Sequence, residues 1–193
     1  MKVVFLSGND FISWDKYLWI KNLRNDLIKL GFEVVFETMP DSILARKEYW
    51  FKYLERVGVD SETVLIGFSS GAVCAMRWAE FNLVLGLVLI SPCYTDTGCD
   101  KERASGYFDD DWNWSGISSN IKFSLVFSSL NDDFICQNEF DVVCSGLGDG
   151  CESFKFEELG HFNSNDFERI PFLVGSLSEK LDSYFIGGNK FKK

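Results

Sequence analysis

The chain has 193 residues, of which 46% are apolar, 25% charged and 16% aromatic. That length and composition fit one domain with a sizeable core and exclude a disordered chain. A formal net charge of −10 repels phosphate backbones, so neither nucleic acid nor an anionic membrane is an expected partner.

Taken in chain order, Val3–Leu6 reads as a short buried strand, interrupted by Ser7-Gly8-Asn9-Asp10. Asp15 to Leu30 carries Leu18, Trp19, Leu23, Leu27 and Leu30 at a helical period, with Gly31 placed to end it. Glu33–Glu37 is a second strand, and Ser42 is the expected cap of a helix running through Tyr49, Trp50, Tyr53 and Leu54. Thr63–Ile66 is a buried strand, Ala72–Glu80 a helix and Leu85–Ile90 a strand. Residues 93–120 read as irregular and aromatic. Phe123–Phe127 is a strand, a weak helical pattern follows Asp133 up to about Leu147, Phe154–Phe156 is a short strand, and roughly Ile170 to Tyr184 a closing helix.

Strands alternating with helices imply a three-layer α/β sandwich with a mostly parallel central sheet. The α/β unit is expected over 1–187, followed by a tail at 188–193 whose Lys190, Phe191, Lys192 and Lys193 form the only basic cluster. In open α/β sheets, sites form at the carboxyl ends of strands. That rule gathers Ser7–Asp10, Phe68–Gly71, Ser91–Tyr94, Ser128–Asp133 and Leu159–Phe162 on one rim.

Six cysteines (Cys74, Cys93, Cys99, Cys136, Cys144 and Cys151) include no Cys-x-x-Cys pair, and a single histidine leaves little for zinc. No metal or organic cofactor is expected. No apolar run reaches membrane-helix length and no secretory signal is apparent, so free thiols in a cytoplasmic setting are the expectation.

Gly67-Phe68-Ser69-Ser70-Gly71 is a Gly-x-Ser-x-Gly pentapeptide between a strand and a helix. In that tight turn a Cβ at either glycine would meet backbone, and the serine hydroxyl is lifted above the sheet. Such a hydroxyl needs a nearby base. His161, the only histidine, follows the last short strand, which is the chain order of a strand-turn-helix serine nucleophile with its base last. The orienting carboxylate is expected after Phe123–Phe127, where Asp132 and Asp133 compete. The spacing Asp132-x-x-Ile135 favours Asp132, leaving Asp133 as a solvated turn residue or a helix cap. The carbonyl oxygen of an attacked substrate needs donors, expected from the N–H groups of Ser70 and Asn9, with Gly8 allowing close backbone approach.

The chain resembles the retinoblastoma-binding protein 9 group of small serine hydrolases, within the α/β-hydrolase superfamily. The likeness runs over nearly the whole chain: Gly8-Asn9, Met39-Pro40-Asp41, Ser69-Ser70-Gly71-Ala72 with Ala75-Met76-Arg77 and Ala79-Glu80, Glu102 through Phe108, Trp112-x-Trp114, Ser129-x-x-Asp132 and Gly160-His161-Phe162. The resemblance implies a flavodoxin-like sandwich, a triad of Ser69, Asp132 and His161, and a pocket mouth walled by Tyr107, Phe108, Trp112 and Trp114, side chains for which a place in the core is an equal alternative. Phe68 stands where many relatives carry histidine, beside the nucleophile and thus in the substrate pocket, and Cys136 where they carry proline. No Leu-x-Cys-x-Glu motif is present, so retinoblastoma-protein binding is not carried over. The function expected is hydrolysis of a small-molecule ester, thioester or amide through an acyl-enzyme. The alternative is a binding or scaffold module that kept the fold without turnover. A thiol enzyme is disfavoured, because Cys74 lies inside the elbow helix.

Overall fold

The computed structural model describes residues 1–188. Of the expected tail at 188–193, Gly188 ends the last helix and the rest, with its basic cluster, lies outside the described residues. The elements are β1 (Lys2–Leu6), α1 (Leu18–Lys29), β2 (Glu33–Phe36), α2 (Lys47–Arg56), β3 (Thr63–Phe68), α3 (Ser70–Ala79), β4 (Gly86–Ile90), α4 (Asp100–Ala104), α5 (Trp114–Asn120), β5 (Phe123–Ser129), α6 (Gln137–Leu147), β6 (Cys151–Phe156) and α7 (Leu173–Gly188). All six strands join one sheet in the order β2-β1-β3-β4-β5-β6, and every pairing is parallel. Among the described residues no helix is long and apolar enough to cross a membrane.

The sheet is apolar on both faces because its inner strands β1, β3 and β4 are nearly continuous apolar runs, and alternate side chains go to opposite sides. Val4, Leu6, Leu65, Leu87 and Leu89 face a core shared with Trp50 and Leu54 of α2, the buried α3, Ile117 of α5 and Phe140 of α6. Val3, Phe5, Val64, Ile66, Val88 and Ile90 face the other core, with Trp19, Ile20 and Leu23 of α1 and Leu173, Leu177 and Leu181 of α7. Helices thus cover both faces, giving three layers.

Several element boundaries differ from the sequence reading, α6, β6 and α7 starting at Gln137, Cys151 and Leu173 among them. α1 starts at Leu18 rather than Asp15, since Asp15 is held by Ser13 and Lys21, and the Leu18 N–H donates to Asn165 Oδ1 from a distant loop (2.8 Å). Ser42 caps nothing; Asp41 organises that turn, pairing with Arg46 (2.7 Å), and α2 begins only at Lys47. Residues 93–120 contain the short helices α4 and α5.

The strand order reverses between β1 and β3, which lie side by side with Leu6 opposite Gly67. One crossover leaves toward β2 and the other toward β4, which opens a crevice beyond their carboxyl ends. The loops carrying Gly8-Asn9 and Ser69 both empty into it.

Candidate active site

Ser69 sits between β3 and α3 at φ 54°, ψ −122°, a strained conformation for a residue with a side chain. Its neighbours impose that strain. A Cβ on Gly71 would lie 2.1 Å from the Leu6 carbonyl oxygen, and one on Gly67 2.4 Å from that of Gly71. The turn is therefore clamped against β1, and the serine hydroxyl projects over the crevice.

His161 Nε2 lies 3.0 Å from Ser69 Oγ, and His161 Nδ1 lies 3.0 and 2.9 Å from the two carboxylate oxygens of Asp132. The His161 and Asp132 side chains are 10% and 3% exposed, so bulk water scarcely competes for these bonds. Asp133 is exposed and caps no helix; Cys136 occupies the N-cap of α6. Asp132 is also held by Ser91 Oγ, which donates to Oδ2 (2.8 Å), and by the N–H groups of Phe134 and Ile135, both donating to Oδ1 (2.9 Å). Burial pushes the Asp132 carboxyl up. The hydrogen bond and charge of His161 and the two main-chain donors outweigh that and hold it below the usual carboxylate value.

The loops after β5 and β6 are tied together, which sets the register between carboxylate and imidazole. Leu159 N–H donates to Ser129 Oγ (2.9 Å) and Gly160 N–H to Asn131 Oδ1 (2.8 Å). Phe68 and Phe134 flank the imidazole, with ring centres 5.3 and 4.9 Å away. Phe68 is buried, edge-on to Trp19 and Phe11, so the apolar residue beside Ser69 forms part of the cavity floor.

A cavity of about 430 Å³ opens at Ser69, lined by Gly8, Asn9, Phe11, Tyr17, Phe68, Cys93, Glu102, Phe134, Ile135 and His161, among others. Gly8 comes close enough that a Cβ there would lie 3.3 Å from Ser69 Cβ. Asn9 N–H donates to Ser70 Oγ at a long 3.3 Å, and Asn9 Nδ2 to Glu102 Oε1 at 2.8 Å.

The aromatic walls expected from residues 107–114 are not in this cavity. Tyr107 is fully buried against Trp50 and Phe51, with its carbonyl accepting from Arg77 Nε. Trp114 lies over Gly146 of α6 and stacks on Trp112, whose other neighbour is the Arg77 guanidinium, 3.7 Å from the ring centre. Phe108 and Trp112 line a separate shallow depression with Arg77 and Asp110. These side chains serve the α3 side of the core, and Phe11, Tyr17 and Phe134 wall the cavity instead. Ser91 and Glu102 join the site through contacts that no local sequence pattern marks. For Glu102 a signal existed, since it opens the family-specific stretch ending at Phe108.

These features define the α/β-hydrolase fold, and comparison with solved structures agrees. The Bacillus subtilis ydeN gene product superposes with a TM-score of 0.82 at 18% identity, covering 94% of this chain and 98% of that one. An esterase from Exiguobacterium antarcticum gives 0.64 at 15% identity (95% and 91%), and mouse alpha/beta hydrolase domain-containing protein 10 gives 0.67 at 13% (95% and 90%). Rat serine hydrolase RBBP9 is 35% identical over 178 residues, 91% of this chain and 95% of that protein. The chain belongs to the RBBP9 family of serine hydrolases and is a hydrolase enzyme. No protein-family model matches it.

Proposed function

We propose that the protein hydrolyses small esters, thioesters or amides through an acyl-enzyme on Ser69. His161 Nε2 takes the Ser69 proton as Oγ attacks the substrate carbonyl, and returns it to the leaving group as the scissile bond breaks. A water molecule, deprotonated by the same nitrogen, then attacks the acyl-serine and releases the acid and free Ser69. Asp132 accepts from Nδ1–H, keeps the imidazole in the productive tautomer and stabilises its cation. The N–H groups of Ser70 and Asn9 receive the developing oxyanion, aided by the positive end of the α3 dipole.

The observation that carries this reading is the unbroken hydrogen-bonded chain from Ser69 Oγ through His161 to Asp132, standing on a strained elbow. A cavity of about 430 Å³ walled by Phe11, Tyr17, Phe68 and Phe134 favours a compact apolar acyl group. The test is labelling with a fluorophosphonate probe beside Ser69→Ala, followed by p-nitrophenyl esters of increasing acyl length. Labelling should vanish with Ser69→Ala, and kcat/KM should pass through a maximum at short to medium chains. Equal labelling of the Ser69→Ala protein would overturn the nucleophile assignment, and a wild-type protein that never labels would favour a binding module.

A further inference from the structure

Glu102, on the short helix α4, is 8% exposed and borders the Ser69 cavity. Its Oε1 accepts two hydrogen bonds, from Ser70 Oγ–H (2.5 Å) and from Asn9 Nδ2–H (2.8 Å). Ser70 Oγ in turn accepts from the Asn9 N–H at 3.3 Å. Asn9, Ser70 and Glu102 thus close a ring of polar contacts across three segments remote in sequence. Glu102 Oε2 is buried without a protein partner, so the carboxyl is held on one oxygen alone. Burial pushes its pKa up, opposed by the Ser70 hydrogen bond and the His161 charge.

The two residues that Glu102 grips are those whose N–H groups face the proposed oxyanion. Their supports are unequal. Ser70 is fixed by α3, whereas Asn9 lies in the loop between β1 and α1, half-exposed, next to Asp10 at φ 58°. A donor on a loop stabilises a transition state only if it is already in place when charge develops. Because the Ser70 hydroxyl proton is directed to Glu102, a lone pair of Ser70 Oγ faces the Asn9 N–H. That contact is long, so an oxyanion can replace it at small cost. An exposed ion pair, Lys101 to Asp10 (2.5 Å), spans the same loop and helix and contributes little by itself.

We propose that Glu102 is a positioning residue. By accepting from Ser70 and Asn9 together, it locks the loop after β1 onto the first turn of α3 and so presets both oxyanion donors. This rests on the reading of the site under Proposed function.

Steady-state kinetics on p-nitrophenyl butyrate test it with Glu102→Ala, Glu102→Gln, Asn9→Leu and the Glu102→Ala/Asn9→Leu double variant, beside Ser69→Ala. Losing an oxyanion donor outright lowers kcat about 10²–10³-fold, so misplacing one should lower it about 10- to 100-fold, with KM within about threefold. Glu102→Ala should show that loss. Glu102→Gln, whose amide oxygen can accept both bonds, should recover most of it. Asn9→Leu keeps the main-chain N–H but loses the side-chain tie; it should resemble Glu102→Ala, and the double variant should fall no further. Wild-type kcat in Glu102→Ala, a Glu102→Gln protein as slow as the alanine variant, or losses that multiply would each overturn the proposal. If Glu102→Ala does not fold, Asn9→Leu and Glu102→Gln decide it: wild-type kcat in Asn9→Leu, or a hundredfold loss in Glu102→Gln, would refute the clamp. An inactive Ser69→Ala beside a fully active Glu102→Ala removes only the clamp, whereas an active Ser69→Ala removes the underlying reading.

Discussion

Asp132 receives hydrogen bonds from His161, from Ser91 and from two main-chain N–H groups, which is why its charge survives burial. Replacing it with Asn should leave the loop folded but present the wrong hydrogen-bonding partner to Nδ1; kcat should drop about 10³–10⁴-fold with KM little changed. Its folded pKa is depressed, so its contribution to stability is complete above the ordinary value of 3.8 and is lost as pH falls through the lower folded value. The stability gap between wild type and Asp132→Asn, read from urea midpoints, should therefore be steady at neutral pH and shrink in strong acid. A gap widening toward acid would contradict this. Glu102 has the opposite sign. Its folded pKa is raised above 4.5, so the folded state loses stability as pH rises from that value through the folded one, where a buried carboxyl must ionise. Glu102→Gln should gain on wild type over that rise; parallel profiles would mean that burial does not perturb Glu102.

The elbow between β3 and α3 ties Ser69 to the sheet. Because a methyl on Gly71 would sit 2.1 Å from the Leu6 carbonyl oxygen, Gly71→Ala must push β1 and α3 apart. A loss of about 3 kcal/mol is expected by chemical denaturation, together with slower fluorophosphonate labelling as Ser69 leaves its alignment. Unchanged stability would mean that the close approach of β1 is not required. At this scale the sequence is legible where an apolar run marks a strand or a full helical period fits. Strands β1 and β3–β5 and helix α3 follow from runs of apolar residues and the glycines that bound them. The five-residue α4 and seven-residue α5 are too short to display a helical period, so their segment read as irregular.

Across the whole molecule, a single sheet is shared by two cores. Trp19 is buried on one face and Trp50 on the other, and β3 contributes Val64 and Ile66 to the first and Leu65 to the second. Truncating Leu65, fully buried at the sheet centre, should cost about 2–5 kcal/mol. With fluorinated tryptophan, the Trp19 and Trp50 resonances of that variant should unfold at one midpoint, as expected for one cooperative unit. Separate midpoints would show that the two faces are independent. The same sheet explains why the site lies where it does. The order reverses between β1 and β3, so Gly8-Asn9 and Ser69 face each other across the crevice, while the ends of β5 and β6 bring in Asp132 and His161.

From the order of residues alone came the alternation of strands and helices, the glycine-bounded Ser69, a single histidine placed after the last strand, and a choice between Asp132 and Asp133. All of these are local patterns or orderings, and a chain displays them directly. The contacts that complete the site join residues far apart: Ser91 to Asp132 across 41 positions, Ser70 to Glu102 across 32 and Asn9 to Glu102 across 93. No periodicity records such pairs. The aromatic residues from Tyr107 to Trp114 show the same boundary from the other side. Their large apolar rings announce burial, but whether burial means a pocket wall or the α3 side of the core depends on which surface the folded chain turns toward them, and only tertiary structure decides that.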